Sequence, residues 1–353
     1  MKRDELVGKA QTVLGTVDPT TLGTTLTHEH ILHDLSTFFR EPAAASDRRF
    51  AHEPVQMENL YWVRLHEANN LDNLKFTDEQ LATKEVTAFK LAMGDTIVEL
   101  TTRGPNGRDP LGLARISRAT GVNIIMGSGH YIAPLHPPEV ESQTEDEIAR
   151  EIVEDITVGV DHTGIRAGII GEIGCSLHPT QNELKVLRAS VAAQQQTGAA
   201  LCVHPSPDAD EALEICEILK SCGADLTRTI ICHVDLFDLS LTTSRRLLDY
   251  GCYIANDNFG VEGLFHLPAG GGSVELADTK RINCIVELIA DGHLNQLLIS
   301  HDIATKHRLT AYGGFGFGHI TRDVLPIMRM KGISDAQIHT LLVDNPKRIL
   351  AFV

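Results

Sequence analysis

The sequence predicts a (β/α)8 barrel closed by eight parallel strands, and three observations lead to it. First, short apolar, β-rich runs recur, each ending in a polar or glycine-rich segment. They occupy residues 24–28, 96–102, 123–128, 167–173, 200–204, 229–233, 251–255 and 296–301. Second, amphipathic stretches lie between them. Residues 145–158 set Ile148, Ile152 and Ile156 against a polar remainder, and 182–195, 209–221, 240–248 and 280–290 show similar helical spacing. Third, strands alternating with helices imply parallel pairing with right-handed crossovers, and eight is the number that closes a barrel. A doubly wound open sheet is the alternative.

Taken in order, the elements show one break in rhythm. About 65 residues separate the first run from the second. Residues 34–75 are rich in charge and carry Phe38, Phe39, Tyr61 and Trp62. They read as an insertion of short helices or a loop that covers the barrel or contributes to a subunit contact. The later runs are evenly spaced. Glycine-rich segments 269–273 and 312–318 follow the seventh and eighth runs. Neither has the G-x-G-x-x-G pattern directly after a strand, so no dinucleotide site is expected, and a mobile lid over the barrel mouth is. A final helix is expected near 335–350. No linker marks a second domain, so 1–353 reads as a single barrel domain.

Composition bounds the function. The chain has 353 residues, 42% hydrophobic and 22% charged, ample for a large core. Its net charge of -16 argues against nucleic acid, whose phosphates need a basic face, and against an anionic membrane surface. No apolar run approaches the roughly 18 residues of a spanning helix, and residues 1–15 lack the apolar core of a signal peptide. The cytoplasm is the expected location. The seven cysteines show no C-x-x-C spacing and read as reduced packing thiols, including Cys175, Cys202 and Cys232.

The 17 histidines are the unusual feature. The first run ends in His28-Glu29-His30. In a strand, residues two apart share a face, so these imidazoles can hold one metal. Alone, H-x-H is a weak signal. The fifth run, however, ends at His204, the sixth at His233 and the eighth at His301-Asp302. The fourth carries Glu172 inside an apolar strand, where a carboxylate is costly unless paired or metal-bound. The carboxyl ends of barrel strands are where active sites sit. His28, His30, Glu172, His204, His233 and Asp302 are too many ligands for one open tetrahedral zinc. They suit two divalent ions bridged by Glu172. Imidazole and carboxylate donors without thiolate favour Zn²⁺, with Mn²⁺, Co²⁺ or Fe²⁺ as alternatives. A hydroxide between two such ions is a nucleophile near neutral pH, and Asp302 is the expected proton shuttle.

These motifs resemble those of the phosphotriesterase-like branch of the amidohydrolase superfamily. The resemblance spans nearly the whole chain: the opening G-x-x-L-x-HEH at 23–30, the Gly-Glu-Ile-Gly strand around Glu172, His204, His233, and Ser300-His301-Asp302. A closer resemblance is to the animal phosphotriesterase-related proteins. It implies a binuclear barrel hydrolase, a homodimer, and cleavage of N-acetyltaurine to taurine and acetate. One departure is informative. Phosphotriesterases proper bridge their metals with a carbamylated lysine, whereas Glu172 supplies a carboxylate directly. Efficient organophosphate hydrolysis is therefore not expected.

The metal centre alone does not choose between amide, ester, lactone and phosphoester. A small anionic N-acylated substrate needs cations or donors for its sulfonate. Lys306, His307 and Arg308 after the eighth strand are the candidates, with Tyr131 and Asn258 on the same face; Arg103 is a further one. His33, His130, His301 and His319 are candidates for orienting the ligands. An esterase, lactonase or phosphotriesterase on the same metals is the alternative function. A non-catalytic barrel that binds acidic metabolites is the second alternative.

Overall fold

A computed structural model describes residues 2–104, 107–238, 240–266 and 273–353, with backbone alone for 264–266 and 273–275. Eight parallel strands run in sequence order around one sheet. They are β1 (Thr25–Glu29), β2 (Thr96–Glu99), β3 (Asn123–Ser128), β4 (Ile169–Gly174), β5 (Leu201–His204), β6 (Thr229–Ile231), β7 (Tyr253–Asn256) and β8 (Leu297–Ile299). Each ladder from β1 to β8 is parallel. The barrel expectation thus holds, and the open-sheet alternative does not.

Alternation along the strands decides which residues go inside. Val98, Ile125, Ile169, Cys202, Ile230, Ala255 and Leu298 pack into one cluster with Leu22 and Ile349. Their neighbours Ile97, Ile124, Ile170, Leu201, Ile231, Ile254 and Leu297 pack against the helices. Burying both faces explains why the strands read as continuous apolar runs.

The seam between β8 and β1 is closed by side chains as well as backbone. The Asp302 amide donates to the His28 carbonyl at 3.2 Å, and the His28 amide donates to Ser300 Oγ at 3.0 Å. Glu29, fully buried, accepts from Ser300 Oγ, from the His301 amide and Nδ1, and from the Ile303 amide. The residue between the two histidines is thus the clasp of the barrel.

The longer helices among the described residues are α1 (Glu79–Leu91), α2 (Pro110–Thr120), α3 (Glu145–Thr157), α4 (Gln181–Thr197), α5 (Ala209–Ser221), α6 (Thr242–Asp249) and α7 (Asp278–Ala290). α3 buries Ile148, Ile152 and Ile156, the stripe expected from sequence. Capping boxes start α3 at Thr144 and Glu147 and α4 at Thr180 and Glu183. The last helix is interrupted: Asp335–His339 and Asn345–Leu350 flank a π-helical turn at Thr340–Asp344.

The insertion is clipped at its base, where His33–Asp34 pairs antiparallel with Lys75–Phe76. Between these it forms short turns and the single-turn helix Leu60–Val63. Phe50, Val55, Leu60, Trp62 and Val63 give it a small core of its own. It docks on the loop after β8 through Lys306 and Asp72, and through Arg64, which donates to the Gly313 carbonyl.

Two glycine-rich segments were expected to act as lids. The run 269–273 lies outside the described residues, except for the backbone of Ser273. In 312–318, Gly316, Phe317 and Gly318 are buried, whereas Gly313 and Phe315 are exposed, and the residues just before are tied down. Glu85 of α1 accepts from the Thr310 amide and hydroxyl and from the Ala311 amide. A Cβ on Gly314 would lie 2.1 Å from the Arg308 carbonyl carbon, so glycine here serves close backbone approach. Among the described residues, no helix is long and apolar enough to cross a membrane.

Candidate metal centre

The six proposed ligands come from five segments and converge at the carboxyl end of the barrel. His28 lies in β1 and His30 just beyond it, Glu172 in β4 and His204 at the end of β5. β6 and β8 end earlier than their apolar runs. The chain then turns through left-handed backbone at His233 (φ 57°) and Asp302 (φ 53°), which aims both side chains inward. Non-glycine residues pay for such conformations and tend to hold them at functional sites.

Two groups of three donors result. His28, His30 and Asp302 have ligand atoms within 4.8 Å of one another, and so do Glu172, His204 and His233. Glu172 stands between the groups. Its Oε1 is 2.8 Å from His204 Nδ1 and 2.8 Å from His233 Nε2. Its Oε2 is 3.5 Å from His28 Nε2 and 4.0 Å from His30 Nε2. Asp302 Oδ1 is 3.2 Å from His30 Nε2 and 3.6 Å from His28 Nε2.

These residues fit divalent cations. His28 Nε2 is buried without a hydrogen-bond partner while facing two carboxylates. A nitrogen lone pair directed among carboxylate oxygens is the arrangement that a cation reconciles. Burial would raise the Glu172 carboxyl, but the His28 and His204 charges, with hydrogen bonds from His204 and His233, hold it well below the ordinary range. Burial likewise opposes protonation of His28 and His233. Glu172 and Asp257 outweigh it at His28, and chiefly Asp257 does at His233, so both are raised well above the usual imidazole value. Strongly basic imidazoles are good donors, and a metal must displace their protons.

Asp257 was not anticipated from sequence. It is fully buried after β7. Its Oδ1 accepts from the His233 amide at 3.0 Å and lies 2.8 Å from His233 Nδ1. Its Oδ2 lies 3.0 Å from His28 Nδ1. One carboxylate therefore orients an imidazole from each group, leaving Nε2 toward the centre. The signal was present: Asp257 follows an apolar strand, as Asp302 does.

Of the histidines expected to orient ligands, His301 is fixed by Glu29 at Nδ1 and accepts from the Ile320 amide at Nε2. His33 contacts the Ala304 carbonyl at 2.7 Å, and burial pushes its pKa down to about 3. Burial lowers His130 to about 3 as well. His319 pairs with Asp278 and Asp323, away from the six.

A cleft opens on the centre, lined by His30, Thr101, Arg103, Tyr131, Leu135 and Asp302 among others. Tyr131 OH lies 3.2 Å from His204 Nδ1, and burial keeps the phenol well above its ordinary pKa, a neutral donor. The other expected substrate residues do not line this cleft. Lys306 Nζ is 2.6 Å from Asp72. His307 is held by Asn73 and Glu67. Arg308 donates to the carbonyls of Asp302, His301 and Phe259. Asn258 is buried and donates to Asp235 and Asp257. His307 and Arg308 instead border a second cavity with Arg64 and Phe315. All seven cysteines are free.

A parallel barrel with histidines and carboxylates gathered at its carboxyl rim defines the class of metal-dependent barrel hydrolases. The phosphotriesterase family model matches residues 8–350, and the chain belongs to that family. An N-acetyltaurine hydrolase from Dictyostelium discoideum is 38% identical, with 99% of each chain covered. A phosphotriesterase-related protein from Nematostella vectensis is 40% identical over 98% of this chain and 99% of its own. Among solved structures, a resiniferatoxin-binding protein from Rhodobacter sphaeroides superposes with a TM-score of 0.94 at 34% identity, covering 99% of this chain and 98% of that one.

Proposed function

We propose that this protein hydrolyses the amide of N-acetyltaurine to taurine and acetate, using two divalent ions, most simply Zn²⁺, held by His28, His30, Glu172, His204, His233 and Asp302. The observation that carries the reading is the pair of three-donor groups with Glu172 between them. Relatives of matching length that bear this activity in their names support the substrate. Residues 1–353 act as one domain in this reading. Seven free thiols fit a reducing cytoplasm, and the family resemblance favours a homodimer.

Two bound cations supply Lewis acidity and acidify water at neutral pH. The chain's own residues do the rest. Tyr131 donates toward the substrate oxygen from the cleft wall. Asp302 takes the proton of the attacking water on its carboxylate and returns it to the departing amine nitrogen. Overall, hydroxyl adds to the acyl carbon, the C–N bond breaks, and the amine leaves protonated.

Purified protein should release taurine from N-acetyltaurine, and chelation or His28→Ala should abolish it. Elemental analysis should find close to two metals per chain. Turnover of lactones or phosphotriesters without the amide would overturn the substrate assignment, and less than one metal per chain would overturn the binuclear centre.

A further inference from the structure

Glu99 is a buried carboxylate that the mechanism leaves unused. It ends β2, is fully buried, and lies opposite Glu29 of β1 in the ladder. Its Oε1 accepts from the amide of Ile31, the residue after His30, at 3.3 Å. Among the described residues its Oε2 has no hydrogen-bond partner. A buried carboxylate oxygen without a donor is unfavourable, so this one calls for a reason. Burial pushes the carboxyl up to about 6, and the groups that counter this are His30, the Thr101 hydroxyl, and the Ile31 and Thr101 amides.

Thr101 connects Glu99 to the metal centre. It is buried, and its Oγ1 lies 2.9 Å from His30 Nδ1. The direction of this hydrogen bond follows from the other nitrogen of the ring. His30 Nε2 faces Asp302 Oδ1 at 3.2 Å and Glu172 Oε2 at 4.0 Å, where a ligand atom belongs. A neutral imidazole that offers Nε2 to a cation carries its proton on Nδ1. Nδ1 then donates to Thr101 Oγ1, and the hydroxyl proton of Thr101 is left for another acceptor. Glu99 Oε2 is the neighbouring acceptor that lacks a donor. We propose that Glu99 is a positioning residue for the metal centre, acting on His30 through the Thr101 hydroxyl. The chain of carboxylate, hydroxyl and imidazole fixes the tautomer and the angle of the ring and makes Nε2 more basic. Asp257 backs His28 directly, at 3.0 Å from its Nδ1. Both imidazoles of the group completed by Asp302 are then backed by a carboxylate. This rests on the reading of His30 as a metal ligand.

The test titrates metal-stripped protein with Zn²⁺ in competition with a chromogenic chelator, which reads binding and not turnover. Thr101→Val keeps the shape and removes the hydroxyl. It should weaken one of the two ions roughly 10- to 100-fold, the scale for an outer partner of a metal-bound histidine. The other ion and the melting temperature of the metal-free protein should not change. Thr101→Ser keeps the hydroxyl and should restore most of the affinity. Glu99→Gln should weaken the same ion. Combined with Thr101→Val it should add nothing further, because both changes break one chain. Unchanged zinc affinity in Thr101→Val would overturn the proposal. So would losses that add in the double variant, or a Thr101→Ser protein as weak as Thr101→Val. A wild-type protein that takes up less than one zinc per chain would instead remove the binuclear reading, and the proposal with it.

Discussion

Asp302 shows what one residue is asked to do at this centre. It adopts left-handed backbone, faces His28, His30 and His233, and its amide helps close the barrel. Burial pushes its carboxyl up, but the hydrogen bond from His30 and the charges of His28, His233 and His30 hold it far below the ordinary range. It is therefore ionised at neutral pH. Asp302→Asn keeps the shape but cannot take up a proton, and should cost roughly 10²–10⁴ in kcat, the scale of general acid–base catalysis. Wild-type turnover in that variant would refute the shuttle role. The ligand histidines were legible because each ends a recognisable strand. The partners of Lys306 and His307 were not, since a pairing with Asp72, Asn73 or Glu67 joins residues more than 230 positions apart.

At the scale of elements, the segment after β8 carries contacts that its sequence did not announce. Its glycines suggested a lid, yet Glu85 of α1 takes three hydrogen bonds from residues 310 and 311 and ties the segment to the barrel wall. Glu85 is itself buried, so its removal leaves two amides and a hydroxyl without their acceptor. Glu85→Ala should lower stability by about 1–3 kcal/mol, measured by urea unfolding, and should raise hydrogen exchange at 310–316. Unchanged exchange there would show that the segment does not depend on the contact. α1 and α2 were not anticipated. α1 does bury Ala82, Val86 and Phe89 at helical spacing, but it follows directly on the insertion, whose irregular pattern obscures where periodicity resumes. The strands were legible because burial on both faces demands continuous apolar runs, a signal carried by each segment alone.

Across the whole molecule, buried charge links the barrel to its last helices. His319 places Nε2 2.7 Å from Asp278 and Nδ1 2.9 Å from Asp323. Burial opposes its protonation, but the two carboxylates prevail and raise its pKa above 6.5. The folded pKa is then the higher one. The stabilisation is complete below the unfolded value and is lost as pH rises through the folded one. The stability gap between wild type and His319→Gln should be largest near pH 6 and shrink toward pH 9 in denaturant titrations. A gap that stays constant across that range would refute the ionic origin. Asp278 also accepts from Arg281, so this network extends to Asp235 behind β7.

The sequence by itself determined the strands of the barrel, the rim on which the chemistry sits, and the imidazoles and carboxylates gathered there. Those follow from local periodicity and from the cost of placing polar groups at the ends of buried strands. Only the tertiary structure decided that Asp257 grips an imidazole from each donor group and that Glu29 clasps the barrel shut. It alone showed that Lys306, His307 and Arg308 are taken up by Asp72, Asn73 and backbone carbonyls and do not line the cleft. Such pairings depend on which segments meet in space, and no spacing along the chain records that.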